Sequence, residues 1–137
     1  MWWIYALLSA LFAAFTAILA KVGIKGINSD LATAIRTVFI LLIAWGIVLA
    51  RKETYGINLL SKSNWLFLGL SGIATGLSWI FYFKALQLGK VSQVAPVDKM
   101  SVAIAIILSS LLLHEVITLK ILIGTILIIA GSIVIIL

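Results

Sequence analysis

Five apolar runs, each about as long as a bilayer is thick, decide what this chain can become. They cover roughly residues 2–20, 31–50, 65–86, 93–113 and 119–137. A helix needs about 20 mostly apolar residues to cross the hydrocarbon core. A water-soluble fold would have to hide all five runs. Of the 137 residues, 64% are hydrophobic and only 10% charged, which leaves too little polar surface to cover them. The sequence therefore predicts an all-α membrane protein: one transmembrane domain over residues 1–137, with five helices and the lipid bilayer as its solvent.

The breaks between the runs fit this reading. Asn28, Ser29 and Asp30 offer caps for the second helix, Ser92 for the fourth and Thr118 for the fifth. Gly89 follows the third helix, and RKETYGINLLSKSN (51–64) is the one long polar connection. No basic segment precedes MWWIYALLSALFAAF, whose apolar run is long for a signal peptide, so it reads as a retained first helix. Trp2, Trp3 and Tyr5 suit the membrane interface there.

Several function classes drop out. Without cysteine there is no disulfide framework or thiolate metal site, and the single His114 sits in HEVIT, which lacks the second histidine of a zinc motif. No glycine-rich phosphate loop or Ser/His/Asp set is present, so neither an enzyme nor a cofactor is expected. The net charge of +6 comes from Lys and Arg scattered singly among apolar segments. Such a pattern belongs to headgroups or an internal path rather than to nucleic acid.

Five crossings place the two ends of the chain on opposite sides. The side of residue 1 carries Arg51, Lys52, Lys62 and Lys120; the other carries Lys21, Lys25, Arg36, Lys84, Lys90 and Lys99. Short-loop and helix-end cations set orientation. With the deeper Arg36 and Lys99 set apart, the two sides are close to even, which permits insertion both ways.

Charges within the crossings are the main functional signal. An ionised side chain at helix centre costs about 2.5–3.5 kcal/mol on insertion scales, so it faces protein or water. Arg36 lies six residues past Asp30, and Asp98 and Lys99 lie six and seven past Ser92. At 1.5 Å per residue both depths are roughly 9–10 Å. Lys84 and Lys21 end their helices on the same side. The bland explanation pairs Asp98 with one of these cations as a structural bridge. The functional one lines a polar cavity with Arg36, Lys84, Asp98 and Lys99, its positive excess favouring an anionic or zwitterionic solute. Trp79 and Tyr82, three apart on one helix face, join that lining, while Tyr82 and Phe83 also read as interface anchors. Pro96 removes a backbone donor and predicts a helix bend, with a carbonyl near Ser92 that needs a new partner.

Small residues predict close helix contacts: the alanine stripe Ala6, Ala10, Ala13, Ala17 and Ala20, then Gly69, Gly72 and Gly76, then Gly124 and Gly131. Packing within one chain is the simpler use of each; a seam between copies is the other.

The run ALQLGKVSQVAPVDKMSVAIAIILSSLLLHEVITLKILIGTILIIAGSIVII (85–136) resembles the C-terminal part of an EamA domain, the repeat of the drug/metabolite transporter superfamily. The marks are an A-L-x-x-G turn (Ala85, Leu86, Gly89), a V-x-P (Val94, Pro96), Glu115 before the last helix, and Gly124 and Gly131 within it. The resemblance implies a single EamA-type repeat, where the usual member carries two in inverted orientation. Two copies of this chain, in an antiparallel pair by analogy with the small multidrug resistance relatives, would restore that arrangement. The first helix lacks those relatives' mid-membrane glutamate, so proton-coupled drug export is not implied. The expectation is a multi-pass protein of a bacterial or archaeal plasma membrane, a homodimer that moves a small polar metabolite by alternating access. The alternative is a non-transporting helper subunit or lipid-binding scaffold.

Overall fold

The computed structural model describes residues 1–137, and the chain is helical with no strand. Its helices are α1 (Trp2–Gly23), α2 (Ser29–Ala50), α3 (Lys62–Leu88), α4 (Val91–Asp98), α5 (Ser101–Leu113) and α6 (Leu119–Ile136), with a 3₁₀ helix over Glu53–Leu59. Five segments are long and apolar enough to cross a membrane, with α4 and α5 together forming the fourth. Large apolar side chains stay uncovered along them, such as Trp2 at 81% and Val134 at 72% exposure. Lipid, not water, suits such surfaces. In lipid every backbone group must be satisfied internally, which a helix achieves. Hydroxyls within the spans follow the same rule: Thr33, Thr37, Thr75 and Thr125 each donate to the carbonyl four residues back, at 2.8–2.9 Å.

The helix starts show which caps the sequence chose. The Asn28 side chain accepts from the Asp30 N–H at 2.7 Å, and the Thr118 side chain accepts from the Ile121 N–H at 3.4 Å. Ser92 does not cap α4. That helix begins after Lys90, two residues earlier than a Ser92 cap requires, and no side-chain bond serves its start. Ser61 accepts from the Asn64 N–H at 3.2 Å and opens α3.

The chain forms two compact units: Met1–Ile18 with Leu88–Leu137, and Leu19–Gln87. Within Leu19–Gln87 the buried apolar residues are Ile24, Ala32, Phe83 and Leu86. Two long-range hydrogen bonds fasten them. The Lys21 ammonium donates to the Leu86 carbonyl, and Gln87 Nε2 donates to the Ile27 carbonyl at 2.7 Å. The last four carbonyls of a helix lack partners within it, and cations there complement the helix dipole. Lys21 therefore caps the C-terminus of α3.

In the other unit α6 packs on both α4 and α5. The residues buried there are small, Ala103 and Ser132, as expected where helix backbones approach closely in lipid. The glycine stripes behave otherwise. A Cβ added at Gly69, Gly72, Gly76, Gly124 or Gly131 meets nothing within 4 Å. The simpler expectation, tight packing of these glycines within one chain, is thus corrected: their faces are open. The alanine stripe divides, with Ala17 buried and Ala6, Ala10 and Ala13 exposed.

Candidate functional site

Arg36 sits two turns into α2, half-buried within a segment long and apolar enough to cross a membrane. The protein meets it with aromatic rings from α3. Its Cζ lies 4.4 Å from the centroid of the Trp79 ring and 5.2 Å from that of Phe83. Residues four apart on a helix share a face, so α3 presents the two rings as a pair. Each contact of this kind contributes about 0.5–2 kcal/mol, most for tryptophan and most when dry. Tyr82 is half-buried, packs edge-on against Phe83 with centroids 6.4 Å apart, and interacts electrostatically with Arg36. Lys84 stands exposed one residue beyond Phe83.

Phe83 corrects one expectation. An interface anchor would lie open to the headgroups, but Phe83 is only 2% exposed. It is a wall of the arginine cage, a place the face shared by Trp79 and Tyr82 had not assigned to it. The usable signal was its spacing of four from Trp79.

Asp98 and Lys99 belong to the other unit. The Lys99 ammonium and the Asp98 carboxylate lie 3.4 Å apart, with side chains 58% and 36% exposed. So open a pair contributes at most about 1 kcal/mol to stability. Pro96 lies in the last turn of α4, just before the backbone tightens. Lys99 N–H donates to the Pro96 carbonyl at 3.1 Å, Met100 to Val97 at 3.0 Å, and Ala103 to Met100 at 3.0 Å, all three residues back. The break in the fourth crossing is therefore a short 3₁₀ stretch at Lys99–Met100. The carbonyl with an outside partner is that of Pro96, not the one near Ser92: the Ser132 hydroxyl of α6 lies 2.9 Å from it.

With this geometry in hand, the comparison with known proteins is direct. The EamA-like transporter family matches over residues 1–137. The chain belongs to the EamA-like transporter family.

One relative of this EamA chain, from Sinorhizobium sp, bears the name "Uncharacterized transporter in cobO 3'region". It is 48% identical over 131 residues, which is 96% of this chain and 93% of the relative. No solved structure matches. Within this EamA domain the sequence pattern gave Phe83 a different place and Ser132 none. Phe83 was visible as a helical neighbour of Trp79. Ser132 was visible only as a lone hydroxyl in a very apolar final helix.

Proposed function

We propose that this EamA-family protein carries a small anionic or zwitterionic metabolite across the plasma membrane of a bacterium or archaeon, as a homodimer working by alternating access. Arg36 between Trp79 and Phe83 is the observation that carries the reading. A ring face stabilises the cation but offers no lone pair of hydrogen-bond strength. The five N–H donors therefore still seek acceptors, and their fork matches a carboxylate or phosphate. Trp79, Tyr82 and Lys84 shape the surroundings of that group. Asp98 and Lys99, in the other unit, are a separate charged pair, which we also assign to the solute. Pro96 provides the bend beside them.

Transport rather than catalysis follows from the family. The open glycine face of α3 supports a seam between copies, and the near-even distribution of helix-end cations supports an antiparallel pair. An uptake screen with purified protein in liposomes tests the reading, using carboxylates, phosphates, amino acids and purely cationic controls. An Arg36→Lys variant, which keeps the charge and loses the fork, should lower uptake of the preferred solute at least tenfold. Undiminished transport of a purely cationic solute by Asp98→Asn counts against the proposal.

One observation favours the helper-subunit or lipid-scaffold reading. Lys21 caps α3 and Asp98 is already bridged by Lys99, so two of the charges have structural employment. Thiol labelling of single cysteines at positions 79, 84 and 98 separates the readings. A water-filled path gives rapid reaction at all three, whereas a packed module leaves position 79 unreactive.

A further inference from the structure

The Ser132 hydroxyl has one proton and two acceptors. The Pro96 carbonyl lies 2.9 Å away on α4, and the Ile128 carbonyl of its own helix lies 2.8 Å away. Ser132 is only 4% exposed, so water is a poor competitor for that proton. The two bonds are therefore alternatives of similar geometry. Releasing Pro96 costs Ser132 little, because the helical bond to Ile128 remains available.

Pro96 gains more from the contact. In a continuous α-helix its carbonyl would accept from Met100 N–H. Met100 instead donates to Val97 at 3.0 Å, and Lys99 N–H is shared between Ala95 at 3.3 Å and Pro96 at 3.1 Å. The tight turn thus leaves Pro96 O short of a full partner, a costly state in lipid, and Ser132 supplies the remedy. If the serine turns to Ile128, the natural replacement is Met100 N–H, which converts the 3₁₀ turn to α-helix. A 3₁₀ turn advances about 120° per residue and an α-helix about 100°. Over three residues the change rotates what precedes the junction against α5 by about 60°. Asp98 and Lys99 lie at that junction.

We propose that Ser132 is a positioning residue: a hydroxyl latch that holds the α4–α5 junction in its tight form and so fixes the direction in which Asp98 and Lys99 present their charges. Release of the latch re-aims the pair. The inference rests on the transporter reading for its purpose, though not for its existence.

The chain makes the test clean, for it has one proline and no cysteine. Protein grown on proline labelled with ¹³C at the carbonyl carries one labelled carbonyl, at Pro96, visible as a separate infrared amide I band. Ser132→Ala should shift that band, because the Pro96 carbonyl exchanges the hydroxyl for the Met100 N–H, while Ser132→Thr should leave it in place. In a second, solute-free measurement, maleimide labelling of Met100→Cys should change at least fivefold on adding Ser132→Ala. In liposomes Ser132→Ala should lower the maximal uptake rate about tenfold, with Ser132→Thr within about twofold of the parent. An unmoved band, an unchanged labelling rate or undiminished uptake by Ser132→Ala overturns the latch. A parent protein that moves no solute, with the band and labelling shifts intact, overturns the transport reading instead.

Discussion

Trp79 and Phe83 should be coupled to Arg36 energetically, and unequally. A double-mutant cycle measures this without the packing losses that each truncation brings, because those cancel. The set is Arg36→Met, Trp79→Leu, Phe83→Leu and the two pairs that contain Arg36→Met. Tryptophan offers the stronger face, and its centroid is nearer, 4.4 Å against 5.2 Å. The expected couplings are about 1–2 kcal/mol for Trp79 and about 0.5–1 kcal/mol for Phe83. The larger corresponds to a roughly 5–30-fold change in the unfolding equilibrium. Unfolding in mixed dodecylmaltoside and sodium dodecyl sulfate micelles, followed by helical circular dichroism, reads both. Unconnected sites add to within about 0.3–0.5 kcal/mol. Coupling below that level at Trp79, or a Phe83 term larger than the Trp79 term, refutes the cage as the anchor of Arg36.

Other outcomes follow from single positions. Asn28→Ala should lower stability in the same micelles by about 1 kcal/mol through loss of the α2 cap, with Asn28→Asp close to the parent. Lys21→Met should speed amide hydrogen exchange in the last turn of α3, at Gln87 and Leu88, while leaving the centre of that helix protected. His114 ends α5 with φ of 55°, so His114→Gly should raise the unfolding midpoint by relieving about 1 kcal/mol of left-handed strain, and His114→Val should lower it. If α3 forms the seam between copies, Ile73→Cys chains should cross-link under oxidation and Gly72→Ile should abolish the cross-link without changing the helicity of the single chain. A cross-link that survives Gly72→Ile excludes that seam.

What could be read in advance, and what could not, divides along the range of the forces involved. Bilayer crossings need only a run of apolar residues, so all five were visible. Asn28 and Thr118 were equally visible, because a cap lies within three residues of the amide it serves. Ser92 was misjudged for the same local reason: α4 could start at either of two positions two residues apart, and it chose the earlier. Arg36 announced itself as a cation inside a crossing, but its partners lie more than 40 residues away on another helix. Only the geometry selected Phe83 and gave Tyr82 a place beside it. The Pro96 break was expected, yet which carbonyl needed help depended on how the turn tightened, and the helper depended on how α6 lay against α4. The glycines mislead for a related reason. Small residues permit close approach without requiring it.

The clasp at the end of α3 also bears on how the chain enters a membrane. Lys21 and the Ile27 carbonyl precede their partners by 65 and 60 residues. At about 5–20 residues per second, a ribosome needs several seconds to deliver the second half of each bond. During that interval α1 and α2 are already made, while the clasp cannot yet form. The first hairpin is therefore not committed by these bonds to either orientation when it leaves the insertion machinery. Arrival of Leu86 and Gln87 closes the interval and fastens the end of α1 and the turn after it to α3. The clasp thus forms only after nearly all of α3 has been made, several seconds after the residues of α1 that it fastens.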